Sequence, residues 1–247
     1  FTGDQPLTLV GFDDQPQANV YIPSNWTIAP IIALTADVAS LKAGETASLT
    51  FSLSEASSDF TVDDVTVSGG TLSNFSGSGT SYSATFTPTA DSTTDGVISV
   101  GSGVFSNSSG ANNADGSDAN NSVTLSVDTV RPTIAVTSDV SSLSAGETAT
   151  LTFTLSEAAT DFVESDVTIS GGSLSSWTTV SNTVYTAIFT PTDNNTSDGV
   201  ISVASSKFSD SAGNTNNDGT DANNSVTFSV DSIRPSISIT DADADNS

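Results

Sequence analysis

The sequence contains no cysteine, no histidine and no methionine, and only 4 of its 247 residues are lysine or arginine. Without cysteine there is no disulfide framework. The lack of histidine and cysteine also removes the usual catalytic triads and disfavours zinc sites. No apolar run reaches the roughly 18 residues that a membrane-spanning helix needs. We therefore predict a protein that is not an enzyme and that does not insert this stretch into a membrane.

Acidic residues dominate the charge of the chain: 29 aspartates and glutamates give a net charge of −25. Such a charge repels nucleic acids and anionic lipids, which makes both poor partners. It also creates a demand for cations, either as diffuse counterions or as bound divalent ions. Two other interpretations stay open at this point. The acidity could simply keep a surface solvated in salt water, or it could mark a disordered chain.

A long internal repeat organises the sequence. The segment AGETASLTFSLSEASSDF from Ala43 returns as AGETATLTFTLSEAATDF from Ala145, 102 residues later. After a one-residue insertion the offset becomes 103, so Tyr82 corresponds to Tyr185. This period is the length of a domain with its own core, and it exceeds the roughly 20–50 residues of a solenoid unit. We predict an N-terminal strand-like segment at 1–30, repeat one at 31–132, repeat two at 133–235, and the start of a further repeat or tail at 236–247. The chain is expected to be a portion of a longer protein.

Short alternating segments predict strands within each repeat. In Thr148–Ser156, polar threonines alternate with Leu151, Phe153 and Leu155, which is the period of a half-buried strand. Further segments of this kind are Asp166–Ser170, Val184–Thr190, Val200–Val203 and Val226–Val230. Turn residues separate these segments, and no window has a helical period. The pattern argues against disorder and predicts an all-β fold of tandem immunoglobulin-like β-sandwich domains, with about seven strands each.

Several sequence blocks occur in the same order in each repeat: S-L-x-A-G-E-T-A-x-L-T-F-x-L-S-E-A, D-V-T-x-S-G-G-x-L-S and Y-x-A-x-F-T-P-T. The block F-S-D-S-A-G-N follows at Phe208–Asn214, and V-D-S/T-x-x-P linkers lie at Val127–Pro132 and Val230–Pro235. Over about 200 residues, the chain resembles the bacterial Ig-like repeats of large secreted surface adhesins. Repeat one departs from the pattern with FSNSSGANN at Phe105–Asn113. The resemblance implies display at the cell surface, type I secretion, a place in biofilms, and spacer repeats stiffened by calcium.

Calcium suits this chain because the ion takes six to eight oxygen ligands, and carboxylates are abundant here. Alternating strand directions bring the loops after the second and before the last strand to the leading end of a sandwich, where its chain begins. Other acidic residues lie at the opposite, trailing end and in the linker. Stacked repeats would then place acids face to face, and Ca²⁺ would offset their repulsion. The candidate ligands are Asp91, Asp95, Asp128, Glu157, Asp161, Asp210, Asp218, Asp221, Glu55, Asp59, Asp115 and Asp118.

Two alternatives to calcium remain open. Arg131 lies in the linker and could form a bidentate salt bridge with the carboxylates at the junction. The D-G-x-D-A-N-N loops could be held by turns of their own aspartate and asparagine side chains rather than by a cation. No EF-hand spacing is present to decide between these possibilities.

Three functions fit these observations. The first is an extracellular spacer of a cell-surface adhesin, whose partners are its neighbouring repeats and an unknown surface ligand. The second is a self-assembling subunit of a surface layer or filament, in which Leu7–Phe12 and Val20–Ile22 add a strand to another copy. The third is a module that binds carbohydrate or protein, for which Trp26 and Trp177 are the candidates for stacking. For Trp177 we favour packing in the core.

Overall fold

The computed structural model describes residues 28–115 and 118–239. In the described part of repeat one, the chain forms seven strands. They are β1 (Ile32–Ala36), β2 (Ser40–Lys42), β3 (Ala47–Ser57), β4 (Val65–Ser68), β5 (Gly70–Pro88), β6 (Gly96–Val100) and β7 (Ser122–Asp128). In repeat two the chain forms eight strands. They are β8 (Ile134–Ser138), β9 (Ser142–Ser144), β10 (Ala149–Leu155), β11 (Val167–Ser170), β12 (Gly172–Thr179), β13 (Val184–Pro191), β14 (Gly199–Val203) and β15 (Ser225–Asp231).

Each repeat is a sandwich of two sheets with the same topology. In repeat one the sheets have the orders β1-β3-β5 and β2-β7-β6-β4, and in repeat two β8-β10-β13-β12 and β9-β15-β14-β11. Only the short pairs β2–β7 and β9–β15 are parallel among the strand pairs of the described residues. The continuous β5 of repeat one corresponds to the separate strands β12 and β13 of repeat two. The predicted all-β fold is confirmed.

Alternation of side chains across each strand builds the two cores. Along β10, Leu151, Phe153 and Leu155 are buried while Thr154 is exposed. The strand predicted at Thr148–Ser156 therefore forms, and its apolar side chains face the interior as its period of two requires. Helical structure in the described residues is limited to single 3-10 turns at Val62–Asp64, Ala119–Asn121, Glu164–Asp166 and Ala222–Asn224. No helix among these residues is long and apolar enough to cross a membrane.

A cluster of aromatic rings lies at the leading end of each core. In repeat two, Phe162 is 4% exposed and contacts the rings of Phe153, Trp177, Tyr185 and Phe208, with centroid distances of 5.1–5.9 Å. Trp177 therefore packs on the core, as predicted. In repeat one the corresponding cluster consists of Phe60, Phe51, Phe75, Tyr82 and Phe105. Because Phe162 follows Asp161 and Phe208 lies two residues before Asp210, the buried rings anchor the loops of these two candidate ligands.

Candidate metal centre

Three carboxylates meet where repeat one joins repeat two. Asp128 is the last residue of β7, Glu157 lies two residues after the end of β10, and Asp210 lies in the loop between β14 and β15. One carboxylate oxygen from each lies within 4.8 Å of the others. We call these residues the junction triad. Because Asp128 belongs to repeat one and the other two to repeat two, the triad spans the junction.

The junction triad is partly buried. Asp210 is 3% exposed, and Oε1 of Glu157 is inaccessible to solvent and has no hydrogen-bond partner. Burial raises the pKa of Glu157, and the negative charges of Asp210 and Asp128 raise it further. Like charges about 5 Å apart repel by roughly 3 kcal/mol at the effective dielectric of a protein surface. The site therefore favours a positive charge between its carboxylates.

Asn214 connects this site to both repeats. Its backbone N–H donates to Oδ1 of Asp210 at 2.8 Å, and its Nδ2 donates to Oδ2 of Asp210 and to the carbonyl oxygen of Asp128, both at 2.9 Å. Its Oδ1 accepts a hydrogen bond from the backbone N–H of Ala43 in repeat one, at 2.7 Å. The side chain thus orients Asp210 and holds the loop against the trailing end of repeat one.

The basic side chains of the junction bind to carbonyl groups. Arg131 donates to the carbonyl oxygen of Thr215 at 3.1 Å, and Nζ of Lys42 donates to that of Gly213 at 3.3 Å. Among the described residues, Arg131 forms no salt bridge with the junction carboxylates. The structure therefore does not support that alternative to calcium. Both contacts cross the junction and add to the docking of the two repeats.

The oxygen-only donor set of the junction triad fits a hard divalent cation such as Ca²⁺. The solvent-inaccessible Oε1 of Glu157 is the atom that such an ion would satisfy. Zinc is a poor fit because no histidine or cysteine is present.

Comparison with known proteins identifies the family. The model of the bacterial Ig-like domain family matches residues 27–126 and 128–230. The chain belongs to the bacterial Ig-like domain family. No curated protein matches it.

Solved structures with a similar fold include three bacterial proteins. The Escherichia coli adhesin FdeC has 18% sequence identity and a TM-score of 0.45, with 81% of this chain and 63% of FdeC covered. Invasin, a bacterial integrin-binding protein, has 14% identity and a TM-score of 0.40, with coverages of 82% and 40%. The Yersinia pseudotuberculosis adhesin InvE has 19% identity and a TM-score of 0.31, with coverages of 80% and 58%. The chain thus spans less than two thirds of each of these proteins.

In each Ig-like domain, one further candidate ligand forms hydrogen bonds between two loops of that domain. Oδ1 and Oδ2 of Asp161 accept hydrogen bonds from the backbone N–H and the hydroxyl of Ser209, both at 2.7 Å. Asp59 accepts from Ser106 in the same way, at 2.9 and 2.6 Å. These bonds, with one from Ser57, lower the pKa of Asp59 to about 2. Neither aspartate joins the junction triad.

The D-G-x-D-A-N-N loop is held by a buried aspartate in each Ig-like domain. Oδ2 of Asp218 accepts the backbone N–H of Ile134, the first residue of β8, at 2.6 Å, and Oδ1 accepts Nδ2 of Asn216 at 3.1 Å. The backbone N–H of Asp221 donates to the carbonyl oxygen of Asp218 at 2.8 Å. The equivalent residues of repeat one are Asp115, Ile32, Asn113 and Asp118. These bonds hold the described residues of each loop in place, and a cation at these four aspartates remains a prediction.

The remaining candidates lie near the two ends of repeat one. At its trailing end, Oδ1 of Asp95 accepts the backbone N–H of Val127 at 3.4 Å, and Asp91 lines a cleft with Glu45 and Arg131. At its leading end, Glu55 accepts a hydrogen bond from Nδ2 of Asn107. The structure does not bring these three acids into the junction triad.

Other predicted features lie outside the described residues: Leu7–Phe12, Val20–Ile22, Trp26 and most of 236–247. Strand addition by the N-terminal segment therefore stays a prediction. Sequence reasoning gave Asn214 as the end of a family block and missed its bridging role. The detectable signal was a difference between the repeats, because Asn214 replaces Ala111 while the residues around it are similar.

Proposed function

We propose that this chain is a stretch of an extracellular, non-enzymatic adhesive or structural protein of the bacterial cell surface. Its tandem Ig-like domains act as spacers, and a calcium ion at the junction triad fixes the orientation of one domain relative to the next. The family match over both repeats supports the spacer role. The observation that carries the proposal is the meeting of Asp128 with Glu157 and Asp210 across the junction.

A cation at this position would act mechanically because its ligands come from two domains. Separating the repeats would remove Asp128 from the ion, so the free energy of binding opposes separation. By mass action, an ion at 100 times its dissociation constant stabilises the bound arrangement by about 2.7 kcal/mol. Without the ion, the repulsion within the triad would oppose docking.

Direct contacts between the repeats also hold the three carboxylates near one another in the absence of an ion. Gly213, Asn214 and Thr215 form hydrogen bonds with Lys42, Ala43 and Arg131 of repeat one and its linker. Hydrogen bonds of this kind contribute only about 0.5–1.5 kcal/mol each. We therefore expect the docked state to form without calcium but to exchange with undocked states, and calcium to suppress that exchange.

Small-angle X-ray scattering and thermal unfolding of the full chain test the proposal in calcium, in magnesium and in chelator. Calcium should narrow the distribution of end-to-end distances and raise the melting temperature. In Asp128→Asn, both effects should require at least about tenfold more calcium, because one charged ligand is lost.

Asp231→Asn provides the matched control. Asp231 ends β15 as Asp128 ends β7, and each accepts the backbone N–H two residues later at 3.2 Å. The control should respond to calcium like the wild-type chain. Identical scattering and melting in calcium and in chelator would contradict the proposal, as would equal effects of the two substitutions.

A further inference from the structure

Two of the junction-triad positions lie in loops of repeat two, and the repeats differ at one of these two. Glu55 of repeat one corresponds to Glu157, but Asn107 stands where repeat two has Asp210. An amide group thus replaces a carboxylate, in loops that also differ at Ala111 and Asn214. The difference decides which groups at the site can donate a hydrogen bond.

In repeat one, the side chain of Asn107 satisfies its glutamate directly. Its Nδ2 donates to Oε2 of Glu55 and to the carbonyl oxygen of Ile28, the latter at 3.0 Å. Its Oδ1 accepts the backbone N–H groups of Ser109 and Ala111, at 3.1 and 3.0 Å. Asn107 is 6% exposed, so these bonds form in a largely desolvated site. The amide therefore ties the segment before β1 to the loop and to Glu55.

The strand that leads into the glutamate also ends at a different point in the two repeats. In repeat one, β3 continues beyond Glu55 to Ser57, which forms a β-bridge with Asn107. In repeat two, β10 ends at Leu155, before Glu157. The paired glutamate lies within a continuous strand, whereas the unpaired one lies beyond the end of its strand.

In repeat two, no donor among the described residues takes the place of the amide. Both oxygens of Asp210 accept hydrogen bonds from Asn214, and an ionised carboxylate has no hydrogen to give to Glu157. Oε1 of Glu157 is consequently left without a partner. The same location thus holds a donor N–H group in repeat one and calls for a positive charge in repeat two.

We infer that the amide of Asn107 does at the leading end of repeat one what the cation does at the junction. The residue at this position, asparagine or aspartate, then determines whether the leading end of an Ig-like domain needs calcium. One chain could then contain both joints that require calcium and joints that do not, according to this residue. The inference rests on the proposed calcium site.

Hydrogen–deuterium exchange of the full chain, read separately for residues 105–113 and 208–216, tests it. In the wild-type chain, calcium at 100 times its dissociation constant should slow exchange in 208–216 by up to about 100-fold, because opening of the loop releases the ion. Exchange in 105–113 should change less than about twofold, because no ion binds there. Asp210→Asn should make the exchange of 208–216 slow in chelator and insensitive to calcium.

Asp210→Ala distinguishes the amide from a simple loss of charge. Alanine removes the negative charge but supplies no donor for Glu157. This variant should lose the calcium response and keep fast exchange in chelator. If it were as protected as Asp210→Asn, relief of repulsion would explain the result, and the role assigned to the amide would be overturned.

The failures of the two ideas are distinguishable. A wild-type chain in which calcium affects neither loop would refute the calcium site itself, and with it the inference. A wild-type chain that responds at 208–216, together with an Asp210→Asn variant that still needs calcium, would refute the inference alone. Calcium protection of 105–113 equal to that of 208–216 would do the same.

Discussion

Replacing Asn214 with alanine should loosen the junction without unfolding repeat two. The side chain makes two hydrogen bonds across the junction, one to the carbonyl oxygen of Asp128 and one from the backbone N–H of Ala43. Repeat one has alanine at the equivalent position 111 and forms the same type of loop, so the fold tolerates the substitution.

The expected size of the effect follows from these two bonds. Each contributes about 1 kcal/mol net, so the variant should lose roughly 2 kcal/mol of coupling between the repeats. A change of this size shifts the ratio of docked to undocked molecules by about 30-fold. The backbone N–H of residue 214 can still donate to Asp210, which keeps the loop itself in place.

Nuclear magnetic resonance relaxation in chelator measures this coupling, because it gives a rotational correlation time for each repeat. In the wild-type chain, both repeats should have correlation times close to that of a joined pair, because the docked state predominates even though it exchanges with undocked states. In Asn214→Ala they should tumble more independently, while the melting temperature of repeat two stays close to that of the wild type. Asn217→Ala, at an exposed position in the same loop, is the control. Unchanged correlation times in Asn214→Ala would refute the role assigned to this side chain.

Two further predictions concern the loops of the Ig-like domains. The hydrogen bonds from Ser106 lower the pKa of Asp59, so its contribution to stability is present above pH 4 and is lost as the pH falls toward 2. Asp59→Asn should therefore flatten the acid limb of a stability–pH curve, and an unchanged limb would contradict this. Asp218→Ala leaves the N–H of Ile134 without its acceptor and should cost about 3 kcal/mol in urea unfolding. The exposed Asp221→Ala should change stability by less than about 0.5 kcal/mol, and equal losses would argue against the buried bond.

The β-sandwich fold could be predicted from the sequence because the alternation within segments indicated strands and the repeat length matched that of a sandwich domain. The alternation in Thr148–Ser156 specifies a strand and the face that it buries, whatever surrounds it. The near-identity of two segments about a hundred residues apart specifies two sandwiches of one topology. The same topology predicted that loop acids of repeat two would face the linker residue Asp128, and the structure does place Glu157 and Asp210 there.

Which carboxylates would meet could not be predicted, because that depends on contacts of a few ångströms within loops. Asp161 turns toward Ser209, and Asp218 turns inward to Ile134, although both lie in the same loops as the triad residues. Arg131 was equally ambiguous, since a guanidinium group can donate to a carbonyl group as well as to a carboxylate. The difference between Asn107 and Asp210 was visible in the sequence. Its effect could be interpreted only once the hydrogen-bond partners of each side chain were known.

The most direct test of the account is a crystal structure of the full chain grown with calcium, with an anomalous difference map calculated at a wavelength where calcium scatters anomalously. Calcium at the junction triad should give a peak between Asp128, Glu157 and Asp210, with at least one oxygen of each at about 2.3–2.6 Å. A map with only ordered water between these carboxylates, or with calcium bound solely elsewhere, would contradict it.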